Sequence, residues 1–309
     1  MPRASRQQTQ HEHETRNTQR HSSITRASLR RWPLPVPSAA GDKDARGRVL
    51  VVGGARELPG AVLLAGVGAL RAGAGKLQIA APRSVAVAIG VAVPEALVAG
   101  LAETRSGGIA PSAAAALARR AEHADALLVG SGMVDDAAVR QLLERLVPRL
   151  SDTVTLVLDA GAVTALAGVG DILHPLGGRA VLTPHAGEMA TMLGLERDAV
   201  DAAPEAITRR AARELRAVVV LKGPTSYIAD PDGRLHRYGG GSVGLATSGS
   251  GDTLAGIVAG LAARGAAPVQ AAAWGVFLHG EAGNVLAQRL GPVGFLAREL
   301  LDEIPGLMR

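Results

Sequence analysis

Val218-Val-Val-Leu221 is an unbroken apolar run, three of its four residues β-branched, and it stops abruptly at Lys222-Gly-Pro-Thr-Ser226. A strand with one wet face alternates apolar and polar residues. A run without alternation reads as a strand buried on both faces, the pattern of a parallel sheet between helix layers. Thr155-Leu-Val-Leu158 has the same character. Further strand candidates at 48–52, 77–80, 96–99, 126–129 and 180–182, with Val154 added before Thr155, alternate with Ala-rich helical patterns at 60–72, 112–122, 136–146, 204–215, 251–264 and 268–289. The expectation is one α/β domain, a doubly wound, mostly parallel sheet between helix layers. Residues 227–238, centred on Asp230-Pro-Asp-Gly233, read as a β-hairpin appended late in the sheet.

Composition narrows the class. The 309 residues are 47% hydrophobic and 20% charged, which is globular, and the six aromatics leave the core to small aliphatic residues. Apolar stretches such as 60–70 fall short of the roughly 20 residues a membrane span needs, and 84–102 is broken by Pro94 and Glu95. No secretory signal is legible, so a cytoplasmic location is expected. The chain has no cysteine, which excludes disulfides, thiolate metal sites and a Cys nucleophile.

A basic balance invites a nucleic-acid reading, so the position of the charge decides. Residues 1–48 carry ten Lys+Arg and four Asp+Glu, a balance of +6; the rest has 33−10 = 23 basic against 28−4 = 24 acidic residues, a balance of −1. The basicity belongs to the N-terminal segment. Residues 1–23 lack apolar periodicity and read as a disordered basic tail, with the catalytic domain at 24–309 and no specific nucleic-acid partner. Only Lys43, Lys76 and Lys222 are lysines in this Arg-rich chain, which makes a lysine at a strand end informative.

In open α/β sheets ligands lie beyond the carboxyl ends of the strands. Five of those ends carry small or polar groups: Gly53-Gly54, Gly130-Ser-Gly132, Asp159-Ala-Gly161, Thr183-Pro-His-Ala-Gly-Glu188 and Lys222-Gly-Pro-Thr-Ser226. The sharpest feature is Ala246-Thr-Ser-Gly-Ser-Gly-Asp-Thr-Leu-Ala-Gly256, a glycine-rich turn running into an apolar helix. A helix N-terminus offers unpaired N–H groups and partial positive charge to a phosphate. Asp252, just inside that helix, reads either as a first-turn carboxylate that favours the helix dipole or as a base that takes a proton from a substrate hydroxyl while the turn steadies a phosphoryl group.

Competing motifs fail on context. Leu70 stands where a Walker A loop ending at Gly75-Lys76 needs its first glycine, and Leu77 replaces its Ser or Thr. Gly239-x-Gly241-x-x-Gly244 runs into Leu245-Ala-Thr rather than a helix, and Gly240-x-Ser242-x-Gly244 is equally empty as a nucleophile elbow. His185 and Glu188 are two possible metal ligands without a third, so His185 reads better as a substrate contact. His279 reads as a core or interface residue, His174 as a loop residue, and Lys222 as a nucleotide-phosphate contact.

Taken together, Val51-Val-Gly-Gly with Pro59-Gly-Ala61, Leu182 to Glu188, Leu221-Lys-Gly223, Ala246 to Gly256 and His279-Gly-Glu-Ala-Gly283 resemble the ADP-dependent NAD(P)H-hydrate dehydratases of the ribokinase-like superfamily, over about residues 47–309. The resemblance implies repair of hydrated NADH and NADPH, with ADP as phosphoryl donor, Mg²⁺ as cofactor, AMP and phosphate as products and Asp252 as base. It implies hydrate contacts at Ala61, Gly132 and His185, and nucleotide contacts at Lys222, Gly223, Pro224, Thr225, Ser226, Gly249, Ser250 and Gly251. No metal ligands are legible. It also implies a homo-oligomer, commonly a tetramer, and an NAD(P)H-hydrate epimerase expected as a separate chain because only some 45 residues precede the core. Three positions depart from the family pattern: its Gly-Pro-Gly turn is Gly130-Ser-Gly132 here, its Asp-Ala-Asp is Asp159-Ala-Gly161, and the Gly-Thr of its nucleotide loop is Thr225-Ser226. The alternative within the superfamily is a kinase acting on the hydroxyl of a vitamin precursor.

Overall fold

The computed structural model describes residues 21–36 and 43–309. Ten strands form one sheet in the order β1-β10-β9-β8-β7-β6-β5-β2-β3-β4. They are β1 (His21–Ser23), β2 (Arg48–Val52), β3 (Lys76–Pro82), β4 (Ala96–Leu101), β5 (Ala126–Val129), β6 (Thr155–Leu158), β7 (Ala180–Leu182), β8 (Val218–Leu221), β9 (Ser226–Ala229) and β10 (Leu235–Tyr238). All pairings are parallel except β8 with β9 and β9 with β10, which form the expected hairpin.

Within each central strand successive residues feed opposite faces. Val49 and Val51 enter the core on one side, and Leu50 and Val52 the core on the other; Leu128 and Leu127 of β5 divide in the same way. This is why the strands read as continuous apolar runs. Twelve α-helices complete the described residues: α1 (Arg26–Arg30), α2 (Pro59–Arg71), α3 (Arg83–Ala92), α4 (Ala114–Ala121), α5 (Asp136–Leu146), α6 (Gly161–Thr164), α7 (Ala186–Leu193), α8 (Arg197–Ala202), α9 (Pro204–Leu215), α10 (Ser250–Ala263), α11 (Pro268–Leu290) and α12 (Ala297–Leu307). Helices α2, α10, α11 and α12 cover one face, and α4, α5, α7 and α9 the other. No helix among the described residues is long and apolar enough to cross a membrane.

One boundary differs from expectation. Residues 21–23 were assigned to a disordered tail, yet they form β1, pairing His21 with Leu235, Ser22 with His236 and Ser23 with Arg237. All three are exposed, so backbone pairing along the otherwise free edge of β10, with a 3.8 Å contact from His21 to Glu205, orders them, and burial patterns carry no trace of that. The rest of the tail lies outside the described residues.

The sheet also sets where a site can form. After β2 the chain builds outward through β3 to the edge strand β4, then returns to place β5 on the other side of β2 and proceeds away from it. The reversal between β2 and β5 is a topological switch point, where the loops beyond the strands part and leave a crevice.

Candidate active site

The five strand ends singled out in the sequence belong to β8, β7, β6, β5 and β2, which are consecutive neighbours in the sheet and all parallel, except where β8 turns back into β9. Their loops therefore line one edge side by side. At the switch point Gly54 N–H donates to Ser131 carbonyl oxygen at 2.7 Å, and a Cβ on Gly53 would lie 2.3 Å from that oxygen, so the two turns close on each other. A Cβ on Gly132, whose φ is +72°, would meet the Leu58 carbonyl at 2.8 Å and the Ala61 side chain at 2.9 Å. Ala61 and Gly132 thus share one wall.

Across the next two strands stands a charged cluster. Asp159, fully buried at the end of β6, accepts hydrogen bonds on Oδ1 from Thr183 Oγ1 at 2.7 Å and from Lys222 Nζ at 3.0 Å. Glu188 Oε2 lies 3.7 Å from the same ammonium. Burial works against the charge on Lys222, but Asp159 and Glu188 together outweigh it and its pKa is raised. Lys222 is a fixed cation. The residue after Asp159, Ala160, holds φ +47° and ψ −123°, a conformation that strains a residue with a Cβ. Gly130 permits the approach from the other side: a Cβ there would lie 1.8 Å from the Asp159 carbonyl.

The glycine-rich turn completes the crevice. Gly249 takes φ +85° as N-cap of α10 and has no side chain to cap with, so the first-turn amides of Gly251 and Asp252 keep no helical acceptor. The position of a Cβ on Gly251 is 3.3 Å from Lys222 Nζ, which brings the cation to the mouth of this cradle. Asp252 lies in the first turn of α10. Its pKa is raised to about 6, by burial first and then by the charge on Asp159; the Ser131 hydroxyl and Lys222 act against this, and Glu188 with it. Ser131 Oγ is buried and makes no hydrogen bond of ordinary geometry, yet it stands near enough to Asp252 to favour the carboxylate. An aspartate tuned to about 6, beside a fixed cation and an uncapped helix start, can remove a proton from a hydroxyl and leave an anion compensated.

The remaining named residues fall into three places. Gly223 and Pro224 are exposed while Thr225 and Ser226 are half-buried at the foot of the β9–β10 hairpin, with Thr225 Oγ1 4.0 Å from a Cβ position on Gly239. His185 caps α7: its Nδ1 accepts from Gly187 N–H at 3.0 Å and Glu188 N–H at 3.2 Å, and Glu188 Oε2 accepts from His185 N–H at 2.8 Å. Its ring remains exposed. His279 is half-buried with Nε2 2.8 Å from Ser250 Oγ, and burial lowers its pKa to about 4, with hydrogen bonding to the Ser250 backbone opposing and Lys222 assisting. His174 sits in a 3-10 turn at Gly170–Leu176, with Nε2 2.9 Å from the Glu214 carbonyl, away from the crevice. Sequence reasoning placed Asp159, Thr183 and Ser131 at ligand-facing strand ends but gave none of them a role of its own. The available signal was an aspartate directly after a fully apolar strand, facing a retained lysine.

The family model for NAD(P)H-hydrate dehydratase matches residues 49–306. The chain is 50% identical over 286 residues to an ADP-dependent (S)-NAD(P)H-hydrate dehydratase of Xanthomonas campestris pv. campestris, covering 93% of this chain and 96% of that relative. It is 41% identical to a bifunctional NAD(P)H-hydrate repair enzyme of Moorella thermoacetica, matched over 90% of this chain and 52% of that one, so it spans about half the length of such relatives. Among solved structures, an ADP/ATP-dependent NAD(P)H-hydrate dehydratase from Bacillus subtilis, co-crystallised with ATP and Mg²⁺, superimposes with a TM-score of 0.77 at 30% identity, over 94% of this chain and 98% of that one. On a match that spans the whole crevice from β2 to α12, the chain belongs to the NAD(P)H-hydrate dehydratase family.

Proposed function

We propose that this chain converts (S)-NAD(P)H hydrate to NAD(P)H at the expense of ADP, with Asp252 as general base. The observation that carries the assignment of roles is the placement of Asp252: a carboxylate with a pKa of about 6 in the first turn of an uncapped helix, within the field of Lys222. The hydrate carries a hydroxyl on its reduced ring. Asp252 takes the hydroxyl proton as the oxygen attacks the β-phosphorus of ADP; the P–O bond to AMP breaks and the ring carries a phosphate ester. The ring nitrogen's lone pair then expels phosphate, and loss of a proton from the adjacent carbon restores the double bond. Products are NAD(P)H, AMP and phosphate.

In this scheme the turn Gly249-Ser250-Gly251 holds the transferring phosphoryl group, through the amides left free at the start of α10, while Lys222 balances its charge. Gly223, Pro224, Thr225 and Ser226 line the nucleotide, and Ala61, Gly132 and His185 the hydrate, with Ala61 and Gly132 packed against each other in one wall. Among the described residues no cluster of three or more His, Asp or Glu side chains forms a metal cage. Mg²⁺ would supply charge neutralisation on the nucleotide phosphates, held mostly by phosphate and water, with Asp159 and Glu188, which pair with Lys222 here, as the carboxylates that would add oxygen donors. An epimerase acting on the same metabolite is the partner activity this reaction calls for.

The test is absorbance at about 340 nm, where dihydronicotinamide absorbs and its hydrate does not, after mixing protein, Mg²⁺ and hydrated NADH with ADP or ATP. Growth of the signal that requires a nucleotide is expected. In Asp252→Asn it should fall by about 10²–10⁴ with folding intact. Full turnover in that variant would remove Asp252 from the role of base, and no turnover of the wild type with either donor would favour the vitamin-precursor kinase.

A further inference from the structure

His279-Gly-Glu-Ala-Gly283 lies within α11, not at a strand end, and the reaction above assigns it nothing. Its residues nonetheless hold the passage that leads into the phosphate cradle. Residues 239–249 include five glycines among eleven, a composition that leaves the backbone unusually free and costly to order. Both flanks of that passage are tied to one short length of α11. Upstream, Tyr238 donates its hydroxyl to Glu281 Oε1 at 2.8 Å, and Asn284 Nδ2 donates to the same oxygen at 3.2 Å, fixing the carboxylate. Downstream, Ser250 Oγ pairs with His279 Nε2 at 2.8 Å.

The glycines of the motif give way to the same passage. A Cβ on Gly280 would lie 2.3 Å from the Tyr238 ring, and one on Gly283 would lie 2.6 Å from Leu245, in the middle of the passage. Start, middle and end are thus each seated on α11. Ser250 is buried, so its hydroxyl serves the contact with His279 and what its turn offers a ligand is backbone.

We propose that His279 to Gly283 is a clamp that sets the geometry of the phosphate cradle, with His279 a positioning residue that acts through Ser250. It depends on residues 249–251 being the phosphate site of the nucleotide, as assigned above. The effect should fall on nucleotide use rather than on folding alone, because the clamped segment ends at the amides that meet the phosphoryl group.

The experiment compares ADP binding by calorimetry and steady-state rates for the wild type, His279→Leu, His279→Gln, Ser250→Ala and the His279→Leu/Ser250→Ala double variant. His279→Leu is expected to raise the KM for ADP about tenfold, the scale of one lost buried hydrogen bond. His279→Gln, which keeps a hydrogen-bonding group, should recover most of that loss. Ser250→Ala should match His279→Leu, and the double variant should be no worse than either, since all remove one contact. A KM for ADP unchanged in His279→Leu, or additive losses in the double variant, overturns the clamp. Should His279→Leu fail to fold, the comparison of Ser250→Ala with His279→Gln decides: equal and wild-type KM in both overturns it, and a raised KM in Ser250→Ala alone upholds it. Wild-type protein that binds no ADP would overturn the nucleotide assignment and the clamp with it, whereas normal wild-type binding with unaffected variants removes the clamp alone.

Discussion

Asp252 holds its proton more tightly than a free aspartate because the crevice strips water from it and sets Asp159 beside it, while Lys222 and Ser131 keep the shift from growing. As the base proposed above, Asp252 would work only when deprotonated, so the predicted sign is fixed: activity full above a pH of about 6 and lost below it. The expected profile of kcat/KM for the hydrate falls tenfold per pH unit on the acid side, with its midpoint near 6 rather than near 4. A flat profile down to about pH 5 would contradict the tuning described here. Asp252 and Lys222 were legible as candidates because each sits at a place where chain geometry exposes a side chain to a ligand, the first turn of a helix and the end of a buried strand. Asp159 was not, because its meaning lies in a contact with Lys222 across 63 positions of sequence. Ser131 was legible as part of a strand-end turn and as a departure from a family turn, and nothing in composition indicates that its hydroxyl is buried beside Asp252.

At the scale of elements, the cradle is aimed by the packing of α10 on α2. A Cβ on Gly256 would lie 2.0 Å from the Ala65 carbonyl, and one on Gly260 2.4 Å from that of Ala69, so the two backbones approach as closely as glycine allows. Gly256→Val should therefore destabilise the protein by about 3 kcal/mol, the upper range for overpacking, and should weaken ADP binding in the fraction that folds, because α10 carries Gly251 and Asp252. Urea unfolding with a midpoint equal to that of the wild type would contradict this. The strands β5, β7 and β8 and the helices α5 and α9 have the bounds expected from periodicity, which is strongest where both faces or one full stripe are buried. Helix α3 was missed, its Val85-Ala-Val-Ala-Ile89 being a strand-like composition before Pro94. Helix α7 was missed for another reason: its cap is His185, whose ring nitrogen accepts two amide protons in place of the usual Ser, Thr or Asp.

At the scale of the whole molecule, the described residues build a ten-stranded sheet with five adjacent strand ends lining one crevice, so in the proposed reaction no single loop acts alone. That arrangement explains why the doubly wound class could be read from Val218-Val-Val-Leu221 and its counterparts, while the exposed edge strand β1, held mainly by backbone pairing, could not. In the mechanism proposed above, the sheet positions an aspartate, a lysine and a helix start for phosphoryl transfer, and the departure of phosphate once the ester forms turns that transfer into repair. The most direct test is a count of products from wild-type protein with Mg²⁺, ADP and hydrated NADH, following AMP, free phosphate and restored NADH in one reaction. Equal yields of all three are predicted. A stable phosphorylated dinucleotide, with AMP formed but no free phosphate and no NADH, would contradict the account and leave a kinase in its place.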